Sequence, residues 1–394
     1  MMCINYIKIG KNNKGGNLNM KKTKRQNGIT LVALVITIII LLILATISVQ
    51  SLTNTGLFAK AQEAKEKTKN AEENQAKTLN EYEDELNKYI SGNVKIPIKK
   101  VTDNIGSVLS TTDNTELEDA YGNKIVVPAG FKIVSNSDTN NATTVDKGIV
   151  IEDATSAATA GSQFVWVPVG TIYTDSEHTE AKKKTIELNR YTFDTNGNPT
   201  AQGENVVDVY FNETTSNGNE VAKNIEYFKT SVSSNRGYYI GRYEARKKNE
   251  KMTVIKNDNL WTNITQKNAS IQSENMYDLT KSFTSDLVNS YAWDTTIVFL
   301  QLCGTNSEYS KQNNLNIGSV SETGTTNDVQ CNIYDMASNV TEWTTETSND
   351  ANFPCTLRGG YCSGTGISTS YRTYSNTSNN NELIGFRPIL YINI

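Results

Sequence analysis

The chain has 394 residues, a formal net charge of −4 from 38 basic and 42 acidic side chains, and a single histidine. That length holds one large domain or about two ordinary ones. No Lys/Arg stripe with interleaved aromatics is present, which argues against a nucleic-acid binder. The lone His178 sits in the polar run 174–179, which argues against histidine-dependent triads and histidine-rich metal sites.

Residues 1–28 end in Lys21-Lys22-Thr23-Lys24-Arg25-Gln26-Asn27-Gly28, directly ahead of the apolar run 29–49. About 20 apolar residues suffice for a helix to cross the hydrocarbon core, and a preceding Lys/Arg cluster keeps the amino terminus cytoplasmic. The pattern predicts a single-pass helix over 29–49 in the cell membrane, with the carboxy-terminal part extracellular. Hydroxyls at Thr30, Thr37, Thr46 and Ser48 can bond back to carbonyls one turn earlier. No secretory cleavage site follows Val49.

Residues 50–92 are rich in Ala, Glu, Lys and Gln, all strong helix formers. Glu63 and Lys67 stand in the favourable i,i+4 orientation. Ala61, Ala64, Ala71, Leu79, Tyr82, Leu86 and Ile90 make only a narrow apolar stripe, which predicts an amphipathic stalk helix stopped by Ser91-Gly92. Residues 93–160 read as a small β-rich region, with short strands at 124–128, 131–134 and 148–153 around a Pro-Ala-Gly turn. Further on, Phe164 and Trp166 share one face of a β-prone run, and Tyr239 and Tyr243 one face of another, which predicts half-buried strands. The polar stretch 171–224 reads as an elaborated loop. Cys303, Cys331, Cys355 and Cys362 have no CxxC spacing, and four thiols allow three complete disulfide pairings.

The junction Gly28-Ile29-Thr30-Leu31 resembles a type IV prepilin leader. The resemblance implies that a prepilin peptidase-like membrane enzyme cuts between Gly28 and Ile29 and that the new amino terminus is methylated. The family's glutamate at the fifth mature position is Ala33 here. A carboxylate in lipid is costly, so its absence suits a lone anchor better than a filament subunit.

From about residue 160 the ordered motifs resemble the formylglycine-generating-enzyme/sulfatase-modifying family, whose fold is a variant of the C-type lectin fold. They are Phe164-Val165-Trp166-Val167-Pro168, Gly237 to Ala245, Tyr291-Ala292-Trp293-Asp294, Asp335-Met336-Ala337-Ser338-Asn339-Val340-Thr341-Glu342-Trp343, Arg358-Gly359-Gly360 and Gly385-Phe386-Arg387. Trp343 and Phe386 read as core anchors. Arg358 and Arg387 can reach carbonyls or a buried carboxylate, and Gly359-Gly360 permits a tight backbone approach. The resemblance implies a calcium ion at Asn339 and Glu342 with nearby carbonyls, although Ser338 and Thr341 replace the family's glycine and aromatic. The plainer alternative is that Asn339 caps a turn and Glu342 pairs with an arginine. The family's oxidases hold copper on two cysteines after the glycine pair. Here Cys362 follows Gly359-Gly360, but Ser370-Tyr371-Arg372-Thr373-Tyr374 stands where the second thiol belongs, so neither catalysis nor copper is expected. A Cys355–Cys362 disulfide closing the turn is the more ordinary use of those residues.

The Ser/Thr/Tyr/Asn-rich stretch 363–381 lies between two framework motifs and reads as a ligand-facing loop, with Tyr361, Tyr371, Arg372, Tyr374 and Asn376 as its recognition residues. The expected fold is α+β: a transmembrane helix and pilin-like helix, then a mixed C-type lectin-like, formylglycine-generating-enzyme-like domain at 161–394. The expected function is a membrane-anchored, cell-surface, non-enzymatic binding protein for a surface protein or glycan. The alternative is a minor pilin or pseudopilin working with other pilin-like subunits in a type IV pilus or secretion system. An oxidase ranks last.

Overall fold

The computed structural model describes residues 34–42, 65, 67–68, 99–203, 211–212, 215–277, 281–313, 318–363 and 367–394, divided into the units Met1–Lys95 and Ile96–Ile394. In the first unit, residues 34–42 are helical with exposed side chains. At about 1.5 Å per residue this helix covers less than half of the roughly 30 Å hydrocarbon core. Among the described residues no helix is long and apolar enough to cross a membrane. The transmembrane helix expected over 29–49 is therefore corrected, and with it the single-pass localisation, the membrane-display function and the pilin alternative. Hydropathy reports composition, and composition alone does not set helix length. Of the expected stalk, only Lys65, Lys67 and Thr68 are described, and they are helical. Gly28, Ile29 and the rest of 50–92 lie outside the described residues.

In the second unit the strand-prone runs pair into two main sheets, whose strands are numbered here in chain order. They are β1 (Phe131–Val134), β2 (Val150–Asp153), β3 (Gln163–Pro168), β4 (Phe211–Asn212), β5 (Gly237–Gly241), β6 (Phe283–Leu287), β7 (Thr341–Ser348), β8 (Cys355–Arg358), β9 (Arg372–Ser375), β10 (Ile384–Phe386) and β11 (Pro388–Ile392). The first sheet is antiparallel throughout, in the order β6-β11-β5-β3-β2-β1. The second runs β4-β7-β8-β9, with β10 added parallel to β7. Among the described residues no sheet closes into a barrel. Because only Arg387 separates β10 from β11, the chain passes from one sheet to the other at that residue.

Three helices complete the unit: α1 (Ile225–Asn235), α2 (Gln266–Glu274) and α3 (Ser290–Cys303). Each begins at a side chain that accepts a backbone N–H, from Asn224, Thr265 and Asn289 respectively. α1 is amphipathic, burying Ile225, Phe228 and Val232, and Phe228 meets Tyr391 edge-on at 5.4 Å. α3 is buried on every side from Ser290 to Leu300, which places it inside the domain.

The central strands are buried on both faces, so the half-buried reading is corrected. Alternation sends Tyr238 and Tyr239 to opposite sides of β5. Tyr238 Oη donates to Ala292 O on α3 at 2.6 Å, and Tyr239 Oη donates to Val126 O at 3.0 Å in the Thr115–Glu118/Lys124–Val127 hairpin. A helix covers one face and the hairpin the other, leaving no solvated side. The expected boundary at 160 is likewise corrected, because β2 pairs with β3 through Ile151 and Phe164. The stretch 171–224 is no single loop: it holds the hairpins Gly170–Tyr173/Lys183–Ile186 and Tyr191–Phe193/Pro199–Ala201.

Asp286 on β6 accepts from the backbone N–H groups of Lys223 and Leu287, both at 2.8 Å. Burial pushes its carboxyl up to about 7, against the opposing Lys223 hydrogen bond. A raised folded value means that its stabilisation is complete below the ordinary aspartate range and is lost as pH rises through about 7. Urea unfolding should therefore show the stability difference between Asp286→Asn and wild type moving in the variant's favour by a few kcal/mol from roughly pH 4 to pH 7. A difference independent of pH contradicts this.

Candidate functional site

Two carboxylates and three guanidinium groups meet beneath the segment 368–375. Asp294 comes from α3 and Glu346 from β7, and both are fully buried. Arg358 at the end of β8 donates through Nη2 to Asp294 Oδ1, and its Nη1 lies 3.6 Å from Glu346 Oε2. Arg372 on β9 bridges the two acids, with Nη2 to Asp294 Oδ2 at 3.0 Å and Nε to Glu346 Oε2 at 2.9 Å. Arg190 closes the other side of Glu346, Nη2 to Oε1 at 2.5 Å. Burial pushes the Glu346 carboxyl up, but Arg372, Arg190 and Arg358 together outweigh it and hold it below its usual range.

This cluster fixes the main chain above it. Arg358 Nε donates to Tyr371 O at 3.1 Å, and Trp293 Nε1 on α3 donates to Thr369 O at 3.1 Å. The N–H groups of Thr369 and Ser370 donate to Gln312 O and Ser310 O, each at 3.1 Å. On the outside of the pinned segment Tyr371 is 38% and Tyr374 49% exposed. Phe353, 41% exposed, lies 5.8 Å from the Tyr374 ring. Beside the segment is a polar groove of about 350 Å³ lined by Asn306, Glu308, Lys311, Gln312 and Asn313.

Gly360 shows why the glycine pair is needed. A Cβ there would lie 2.2 Å from Ala337 O, a backbone atom that cannot swing aside. The turn after Arg358 thus packs against the 336–337 main chain, and Cys362 N–H donates to Asn339 O at 2.8 Å. Trp343 is buried and donates to Ile264 O at 2.9 Å, and Phe386 meets Trp261 edge-on at 5.7 Å. Arg387 donates from Nε to both Glu342 oxygens, at 2.9 and 2.7 Å, from Nη2 to Glu342 Oε1 at 2.5 Å, and from Nη1 to Gly241 O at 3.1 Å. Burial works against the Arg387 charge, but Glu342 beside it more than compensates and holds its pKa above the usual guanidinium value.

That pairing decides the fit of calcium at Asn339 and Glu342. Both Glu342 oxygens face Arg387. Asn339 Oδ1 accepts from Ser321 N at 2.9 Å, and its Nδ2 donates back to Ser321 O at 3.3 Å. The two side chains are committed to protein partners and do not fit a cation there. Cys303, Cys331, Cys355 and Cys362 are all free thiols, so the Cys355–Cys362 disulfide is not formed.

Of the residues read as ligand-facing, Tyr371, Tyr374 and Asn376 are exposed and Tyr361 is half-buried. Arg372 is corrected: its side chain is 11% exposed and is spent on Asp294 and Glu346. Sequence reading missed Arg190, Asp294 and Glu346 as partners. Asp294 stood inside a quoted motif without a role. Glu346 lies in a threonine-rich strand that reads as solvated, and Arg190 has no distinguishing neighbours.

No family model matches the chain, and no curated protein matches it. Among solved structures it is similar to the crystal structure of CarF, at 13% identity over 40% of this chain and 87% of that one, TM-score 0.29. It is also similar to Treponema denticola variable protein 1, at 15% identity over 58% and 95%, TM-score 0.23. A third is the P3c variant of Major Tropism Determinant, at 10% identity over 71% and 82%, TM-score 0.26. Scores this low carry no argument about fold or function.

Glu346→Gln leaves three buried guanidinium groups facing one carboxylate, and should destabilise the domain by about 3–5 kcal/mol in urea unfolding. Because the folded Glu346 value is depressed, its stabilisation is present above the ordinary glutamate range and is lost as pH falls through the folded value. The loss in Glu346→Gln should therefore shrink toward acid pH. An unchanged midpoint at neutral pH contradicts the network's role.

Proposed function

We propose that residues 96–394 form a non-enzymatic recognition domain of the formylglycine-generating-enzyme-like, C-type lectin-like kind. It engages a protein or glycan ligand with the pinned segment 368–375 and the polar groove beside it. One observation carries the reading: a main chain held from below by Arg358 and Trp293 presents Tyr371 and Tyr374 to solvent. Rigid backbone with exposed tyrosine gives large contact area at low entropic cost. The groove supplies amide, ammonium and carboxylate groups that suit a hydroxyl-rich or peptide ligand. Thiol oxidation is left out of this reading, because Cys355 and Cys362 are buried and no second cysteine follows Cys362.

Screening the protein on a glycan array and a random-peptide display library tests the proposal. Hits should be lost, with affinity down tenfold or more, in Tyr371→Ala and Tyr374→Ala. Both variants should keep the wild-type melting temperature, since these rings lie outside the core. Absence of hits on both libraries, or hits that survive both substitutions, contradicts the assignment.

A further inference from the structure

A second cleft, of about 310 Å³, is built from other elements: the turn at Gly122–Lys124, the end of β3, the Gly170–Tyr173 strand with the following loop, and the end of α1. It shares no lining residue with the face described above. The only histidine of the chain lies in its wall. The His178 ring stacks on Tyr173 with centroids 4.1 Å apart and planes 15° from parallel. Its Nε2 is 2.6 Å from Tyr121 O, so that nitrogen carries a proton and donates, leaving Nδ1 available to a ligand. His178 adopts φ 52, an uncommon conformation for a residue with a side chain. Gly122 makes room for the ring: a Cβ there would already touch His178 Nε2 at 3.6 Å.

Charge in the cleft is positive. Arg236 occupies the left-handed position that ends α1, at φ 61, and its carbonyl accepts from Val169 N at 2.9 Å. No carboxylate pairs with its exposed guanidinium among the described residues. Lys124 also lines the cleft and shares its charge with Glu116 at 2.6 Å in a solvent-exposed pair. The nearby Asp175 turns both oxygens to Thr179, at 3.1 Å to its N–H and 2.6 Å to its hydroxyl.

We propose that this cleft binds an acidic sugar of the uronic-acid type, with the pyranose face against the Tyr173–His178 stack and the carboxylate on Arg236. The volume is at the monosaccharide end of ligand-pocket sizes, which begin at about 300 Å³. An aromatic stack pairs with the apolar face of a ring, and a guanidinium fork pairs with a carboxylate. The inference stands apart from the recognition face, because none of its residues belongs to it.

Because His178 is the sole histidine, isotope labelling of histidine in the intact chain gives one unambiguous ring signal. Titration with glucuronate should shift that signal saturably, and glucose or acetate at the same concentrations should not. Arg236→Asn, which tolerates the left-handed conformation, should weaken glucuronate binding tenfold or more while leaving the ligand-free signal in place. Tyr371→Ala should bind glucuronate as wild type does. A glucuronate-terminated oligosaccharide that binds at least as well as the free sugar identifies a glycan terminus as the source, and weaker binding identifies the free acid. Absence of a saturable shift with glucuronate, equal response to glucose or acetate, or unchanged affinity in Arg236→Asn overturns the proposal.

Discussion

The burial of Asp294 and Glu346 among Arg190, Arg358 and Arg372 is the constraint on which the second unit depends. Removing such groups from water costs several kcal/mol per ion, and mutual attraction offsets this only when the geometry is good. The five residues come from α3, β7, β8, β9 and the segment before the 191–201 hairpin, so a slip in any one would strand a charge. The network therefore acts as a register lock more than as a source of net stability. Arg387 does the same at the junction of the two sheets, where Glu342 on β7 and Gly241 O on β5 share one guanidinium.

From that lock follows the character of the exposed segment. Residues 368–371 are rich in serine, threonine and tyrosine, a composition that alone would suit a mobile loop. Their carbonyls and amides are instead taken by Arg358, Trp293, Ser310 and Gln312. Order in the backbone and exposure of the aromatic rings come from the same residues: β9 turns Arg372 inward and leaves Tyr371 and Tyr374 outside.

Much of the framework was legible because it rests on local rules. The aromatic runs at 164–167 and 238–243 mark strands, and the glycine pair after Arg358 marks a close backbone approach. What was not legible depends on partners distant in sequence. Period-2 reasoning predicts one wet face, and could not know that α3 and the 115–127 hairpin cover both sides of Tyr238 and Tyr239. Arg372 looked like a recognition residue because its neighbours are tyrosines and serines, while the carboxylates that claim it lie 26 and 78 positions away. Asn339 and Glu342 have the chemistry of calcium ligands, but Arg387, 45 positions on, takes the glutamate. The apolar run at 29–49 shows the opposite failure, a strong local signal whose described helix spans only 34–42.

The central claim is that a buried ionic lock turns a loop-like sequence into a rigid surface. Native-state hydrogen exchange on the intact protein tests it most directly. The account predicts that the amides of Gly359, Thr369, Ser370 and Tyr371 exchange as slowly as those of strand β8, through the domain's cooperative unfolding. Exchange of Thr369 and Ser370 at the rates of an unstructured peptide, with β8 still protected, would contradict it.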